Sequence, residues 1–374
     1  MTDYLISKGP IGEEDQEKWD GVNPTFTRDT STGSSITLHK VGTSVDVMMV
    51  YGGGAILNST SINLAISSIG SNPARIVLRP GSWVMNADIT VPENITLEVA
   101  AGATITTTGY TLTINGWLSA PPQKVFQGTG TVSLSDTVIV DPRWWGAVGD
   151  GSTDSTAAIQ RAIDATAVGG TMAIPSAPSY FKITDELTIA HAMTIQGASK
   201  NYSRILQATA AKKALKVTGN YVTVKNLRLT GPGGGSLSTD SNAISVEGSS
   251  AASVAHEFVA EDCLIESWGD KGIYLIYVQT FTVRCCTFGS IYTAAIEVRS
   301  CSNGLVEGNV INTATLFGII ARRNNTDSLT TDPRTTFVNI IGNKVFNVPG
   351  GEGIHVEAGS SIDIDGNSTL NCNL

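Results

Sequence analysis

The chain has 374 residues, and its 33 acidic against 24 basic side chains give a formal charge of −9. That balance excludes a broad basic face of the kind that binds nucleic acid, and no apolar run is long enough to span a bilayer. Abundant Gly, Thr, Ser, Val and Ile with few aromatics exclude a mainly helical protein and favour many short strands joined by tight turns.

The opening residues, MTDYLISKGP, lack the basic-then-apolar pattern of a secretion signal, so synthesis and folding are expected in cytoplasm. The stretch to about residue 50 is polar and turn-rich, with too few apolar residues for a core. It is expected to be an attachment segment ordered by a partner. At 58–70, NSTSINLAISSIG offers a cap followed by an apolar stripe at Ile62, Leu64, Ala65 and Ile69, which predicts a helix. Strands then follow in RIVLRPGSWVMNADITVPENITLEVAAG (75–102). The same order recurs in WWGAVGDGSTDSTAAIQRAI (144–163), where Thr153 or Asp154 is the expected N-cap and Ala158, Ile159, Ala162 and Ile163 form the stripe. TMAIPSAPSYFKITDELTIAHAMTIQG (171–197) comes after it. Each block reads helix, strand, Pro/Gly turn, strand, strand, and each helix is suited to covering the open edge of a stack of strands. Three regions result: a leader over 1–50, a first β-helical segment over 51–140 and a main one over 141–374.

Beyond residue 250 the chain repeats. Units begin at Phe258, Phe281, Gly304, Phe337 and Ile362, and their turn position falls at Cys263, Cys286, Asn309, Asn343 and Asn367. The steps are 23, 23, 34 and 24 residues, and the long step holds one insertion, TDSLTTDPRTT (326–336). A second ladder runs Ile244, Ile273, Ile296, Ile319 and Ile354. A unit this short cannot bury its own apolar face and must stack on copies of itself. Alternation in VEGNVI places Val306 and Ile311 on one side of the wall and Glu307 and Val310 on the other. Asn309, Asn343 and Asn367 can then hydrogen-bond from coil to coil. These patterns predict an all-β parallel β-helix, a solenoid with coils of about 23 residues and short N-terminal capping helices. The sequence stops at GNSTLNCNL, inside a repeat, which predicts that a partner chain or further protein covers that edge.

The motif WWGAVGDGSTDSTAAIQRAI resembles the opening of the pectate-lyase-3 superfamily, related to glycoside hydrolase family 28. In that family an aromatic, Gly-Ala and a Gly-Asp-Gly-x-x-Asp turn precede an Ala/Ile-rich helix. The resemblance covers most of the chain after about residue 50. It implies a right-handed parallel β-helix and a kinship with bacteriophage tail spikes and fibres, often trimeric. It therefore implies a homotrimer placed in a virion tail and held to a tail or baseplate protein through residues 1–50. The family's polygalacturonase residues and the Asp-Pro-His-Asp signature of alginate epimerases are absent; DPR at 332–334 lacks a His.

Stacking nominates the chemistry instead. The residues after the second Ile ladder face outward: Ser245, Tyr274, Glu297, Ile320 and His355. Two residues further on come Glu247, Ile276, Arg299, Arg322 and Glu357. Adjacent coils lie about 4.8 Å apart, so this face suits a saccharide. Tyr274 offers a stacking plane, Arg299 and Arg322 offer forks for carboxylate or sulfate, and Glu297, Glu357 and His355 carry protons. The insertion would rim it. The same residues also fit an ordinary solvated sheet face with cross-strand charge pairs. Glu261, Arg284, Glu307 and Asp365 line another face, where an ion-pair ladder is the expected role. Asp150 and Asp154 are expected to build a turn and a cap. The cysteines, Cys263, Cys285, Cys286, Cys301 and Cys372, show no metal-ligand spacing and are expected as buried free thiols. No metal or cofactor is expected. Three functions fit: a tail-spike-like protein that binds and depolymerises a bacterial surface polysaccharide, a non-catalytic adhesin or tail component, and an extracellular lyase, hydrolase or epimerase.

Overall fold

The computed structural model describes residues 27–28, 35–41, 44–48, 57–248, 250, 255–324 and 334–373. It divides into two compact units, Met1–Gly146 with Ala165–Ala167, and Ala147–Asp164 with Val168–Leu374.

In the first unit, helix α1 (Ser59–Ile69) starts at Asn58, whose side chain accepts from Ser61 N at 3.3 Å. Its stripe residues Ile62, Ala65 and Ile69 are buried. Three rows of parallel strands follow. Ala74–Leu78, Ile95–Val99 and Leu118–Ser119 make one. Gly81–Val84, Ala103–Thr106 and Phe126–Gln127 make the second. Ile89–Val91, Thr111–Ile114 and Thr131–Leu134 make the third. Within 1–50, Ser35–Val41 and Ser44–Met48 pair antiparallel, and the latter runs parallel to Ala74–Leu78. Most of that segment lies outside the described residues, and its expected attachment role with it.

The second unit is a parallel β-helix of three faces. Its first face begins with Thr171–Ile174, Met193–Gly197 and Val222–Lys225. It continues through Ala255–Glu261, Val278–Arg284, Ser302–Glu307, Thr335–Ile341 and Gly359–Asp365. The second runs from Phe181–Ile183 to Val310–Ile311. The third runs from Leu187–Ile189 to Phe317–Arg322. The long strand Lys344–Val356 serves both the second and third faces, pairing with Val310–Ile311 and with Phe317–Arg322. Inward positions carry the core: Phe258, Phe281, Val306, Ile340 and the Ile ladder are all buried. Where Phe281 needs room, the next coil supplies Gly304, at which a Cβ would stand 2.0 Å from the Phe281 ring.

Two kinds of device hold the turns. The residue before the turn ladder is left-handed in every coil from Asn226 on: Asn226, Asp262, Cys285, Gly308, Gly342 and Gly366 have φ between 50° and 63°. At the ladder itself Asn309 Nδ2 donates to Asn343 Oδ1, and Asn343 Nδ2 to Asn367 Oδ1, each at 2.9 Å. The same acceptors take the backbone N–H of Asn309 and of Asn343. Asn309 Oδ1 takes that of Cys286. Earlier in the stack Cys286 and Cys263 occupy the ladder position, their thiols turned toward the carbonyls of Ala260 and Val224. The expected coil-to-coil Asn ladder is therefore present.

Helix α2 (Thr156–Ala165) starts one residue later than a cap at Asp154 would set it, and two later than one at Thr153. Ser155 precedes its first residue, and Asp154 accepts from Thr156 N at 3.0 Å. Ile159, Ala162 and Ile163 are buried. Gln160 bonds to both N and O of Thr188, the open edge of the first strand on the third face. The helix thus covers that edge, the punctuation expected of the Gly/Asp-rich motif.

Candidate functional site

The third face carries three outward rows. Ser245, Tyr274, Glu297, Ile320 and His355 are in register, as are Glu247, Ile276, Arg299 and Arg322. Glu357 continues the second of these rows, its N–H bonding Ala321 O. The expected neighbours are all brought together. A third row, Lys271, Ala294, Phe317 and Glu352, lies three residues before the first rather than two. The residues between, Gly272, Ala295, Gly318 and Gly353, fall out of the pairing. A Cβ at Gly272 would meet Ala295 O at 2.5 Å and the Phe288 ring at 2.8 Å, so the corner needs a small residue.

Glu297 points outward along its strand yet has no exposed surface. Its Oε1 accepts from Arg299 Nε and from Arg322 Nε, the latter at 2.7 Å. Its Oε2 lies 3.8 Å from Lys271 Nζ and accepts no hydrogen bond. Lys271 Nζ in turn sits 2.7 Å from Asp270 Oδ2, whose side chain is 7% exposed. The carboxylate is thus enclosed by three cations, and its position fixes both guanidiniums.

Tyr274 is not free to stack on a sugar. Lys271 Nζ lies 5.0 Å and Arg299 Cζ 5.5 Å from its ring centre, so the aromatic surface already holds two cations. Burial pushes its hydroxyl up to about 12, with the charge of Arg299 opposing.

The reachable end of the face lies on the next two coils. Arg322 Nη1 is 3.7 Å from Glu357 Oε2, with side chains 24% and 38% exposed. His355 Nδ1 is 2.7 Å from Glu352 Oε2, and the His355 ring lies 5.3 Å from the half-buried ring of Phe317. Glu357 and His355 are therefore at the surface, Glu297 is not, and Arg322 joins Glu297 to Glu357. Sequence reasoning missed Lys271, Phe317 and Glu352, because the unpaired residue at each corner breaks the two-residue alternation that would have revealed them. The part of the insertion from 325 to 333 lies outside the described residues, and its expected rim with it.

The other sequence candidates have structural work. Asp150 accepts from Ser152 N, Thr153 N and Thr153 Oγ1, which hold its carboxyl well below the usual carboxylate range. Asp154 binds Thr156 and Thr184 Oγ1. Arg284 bridges to Glu261 at 2.8 Å, with Glu307 in register beyond it. Cys263, Cys286 and Cys301 are buried, but Cys285 is exposed, contrary to expectation, because its left-handed turn points it outward. Among the described residues, no group of three or more His, Cys, Asp or Glu gathers as metal ligands would. Among the described residues, no helix is long and apolar enough to cross a membrane.

Two family descriptions match the chain. "Right handed beta helix region" matches residues 213–373, and "Rhamnogalacturonase A/epimerase, pectate lyase-like" matches 143–231. No curated protein sequence matches it. Among solved structures, ORF18 of Geobacillus virus E2 is similar at 14% identity and a TM-score of 0.40, over 63% of this chain and 61% of that one. The mannuronan C-5 epimerase AlgE4 A-module of Azotobacter vinelandii gives 16% and 0.45, over 61% and 76%. The enzymatically active domain of tailspike protein 2 of bacteriophage CBA120 gives 16% and 0.34, over 62% and 42%. The chain thus spans less than two thirds of the first and third of these proteins.

Proposed function

We propose a function for a chain that belongs to the pectate-lyase-like superfamily of right-handed parallel β-helices: it binds a bacterial surface polysaccharide on its third face and depolymerises it. The setting we propose is a phage or prophage tail, with the protein made in the host cytoplasm, trimeric, and attached through residues 1–50. The observation that carries the reading is the meeting of Arg322, Glu357 and His355 on adjoining coils at the reachable end of one face. Arg322 supplies a fork for a carboxylate or sulfate on the glycan, and Glu297 holds that fork in place. Arg299 extends the basic track. Glu357 and His355 are the proposed catalytic residues, one able to donate and one to accept a proton beside a glycosidic oxygen. Glu297, enclosed by cations, serves by orienting them, and Tyr274 by supporting Arg299.

Purified protein incubated with capsular and O-antigen polysaccharides tests the reading. New reducing ends without ultraviolet absorbance mean hydrolysis, and both together mean elimination. Loss of cleavage in Arg322→Ala, Glu357→Gln and His355→Gln, with folding retained, places the chemistry here. Retained binding without new ends in the parent protein favours the non-catalytic adhesin, the reading that the burial of Glu297 and the occupied ring of Tyr274 would then support.

A further inference from the structure

We infer that Glu352, a residue outside the proposed catalytic set, is the positioning residue that makes His355 a proton acceptor toward a bound sugar; the inference rests on the glycan-site reading above. The two residues share one strand and stand three positions apart, yet both lie on the outward side because the corner at Gly353 drops out of the pairing. Phe317 and Ile320 of the preceding coil stand directly opposite them. Glu352 Oε2 lies 2.7 Å from His355 Nδ1. An ionised carboxylate can only accept, so the hydrogen between them belongs to Nδ1. A neutral imidazole with its proton on Nδ1 keeps its lone pair on Nε2, the nitrogen that Glu352 does not occupy. Phe317, with its ring tilted 42° to the imidazole at 5.3 Å, limits the ring's freedom from the neighbouring coil. The His355 and Glu352 side chains are 28% and 40% exposed, so a ligand on this face can reach the pair.

The arrangement sets His355 apart from the face's other charged groups. Arg322 is already directed to Glu297 and Glu357, and Glu297 is enclosed. With Nδ1 anchored and its lone pair on Nε2, His355 can take a proton without first giving one up. Glu352 does not touch the sugar in this scheme; it selects the tautomer and orients the ring.

The test uses the full chain labelled with ¹⁵N-histidine, studied at mildly alkaline pH, where imidazole is neutral. One of the four histidines is assigned to His355 from its disappearance in His355→Gln. The expected spectrum places the proton on Nδ1 in the parent and moves it largely to Nε2 in Glu352→Ala. In turnover, Glu352→Gln should lower kcat on the order of 10- to 100-fold with KM within about twofold, and Glu352→Asp should recover part of the loss. A parent His355 protonated on Nε2, or an unchanged kcat in Glu352→Gln, overturns the inference. If the parent cleaves no polysaccharide, the depolymerase reading falls, while the tautomer still decides the role of Glu352.

Discussion

Arg322 and Glu297 stand on neighbouring coils, and both Nε and Nη2 of the guanidinium reach one carboxylate oxygen at 2.7 Å. The same oxygen accepts from Arg299, so a single buried atom holds two cations side by side. Removing it leaves Arg299 without its paired carboxylate and leaves Arg322 only Glu357, 3.7 Å away. Their side chains are 23% and 24% exposed, so water relieves part of that penalty. Glu297→Ala is expected to cost about 2–4 kcal/mol, read as a lower urea midpoint. An unchanged midpoint would mean that the carboxylate does not organise the pair.

The Asn ladder makes a second prediction. Asn343 accepts from both N and Nδ2 of Asn309, donates to Val306 O and Asn367 Oδ1, and is fully buried. Asn343→Ala strands the amide of Asn309 away from water, and Asn343→Leu adds bulk that cannot bond. The alanine variant should lose about 2–4 kcal/mol in chemical denaturation. Asn312→Ala, at an exposed position outside the left-handed turns, is the control and should change stability by less than about 0.5 kcal/mol.

Cys285 can be improved. Its φ of 55° is matched in later coils by Gly308, Gly342 and Gly366, and its side chain is exposed. A left-handed backbone penalises any residue with a Cβ, while glycine carries only its entropy cost. Cys285→Gly should therefore stabilise by about 0.5–1 kcal/mol and raise Tm, whereas Cys285→Val should lower it.

Tyr274 gives the alkaline limit. Burial raises its hydroxyl to about 12, against about 10 in an unfolded chain. The stability that this neutral phenol contributes is complete below about pH 10 and is lost as pH rises through about 12. Tyr274→Phe should flatten the decline over that window. Equal slopes for parent and variant in melts across the range would refute the assignment.

The stack was legible because its ladders impose a strict count. Every turn residue from Cys263 to Asn367 and every Ile from Ile244 to Ile354 lands in register. The outward neighbours Tyr274, Glu297, Arg299 and Arg322 followed from the same count. Their roles did not, since burial depends on which cations fold over a carboxylate, and no spacing reports that for Glu297. Glu352 and Phe317 escaped for a different reason. The corner residues Gly318 and Gly353 shift the alternation by one, and strict period-two reading then assigns their neighbours to the wrong side. The left-handed turns hid similarly, because Asp262 and Cys285 occupy positions that glycine marks only in later coils.

A coil that touches only its two neighbours hands its stability along the line. Ile364, aligned with fully buried Ile340, is 49% exposed, so the strand Gly359–Asp365 is backed on one side only among the described residues. Its amides should trade hydrogen for deuterium faster than those of Val278–Arg284, which has a paired strand on each side. Covering an exposed layer in such a line stiffens those behind it, and uncovering it loosens them in turn.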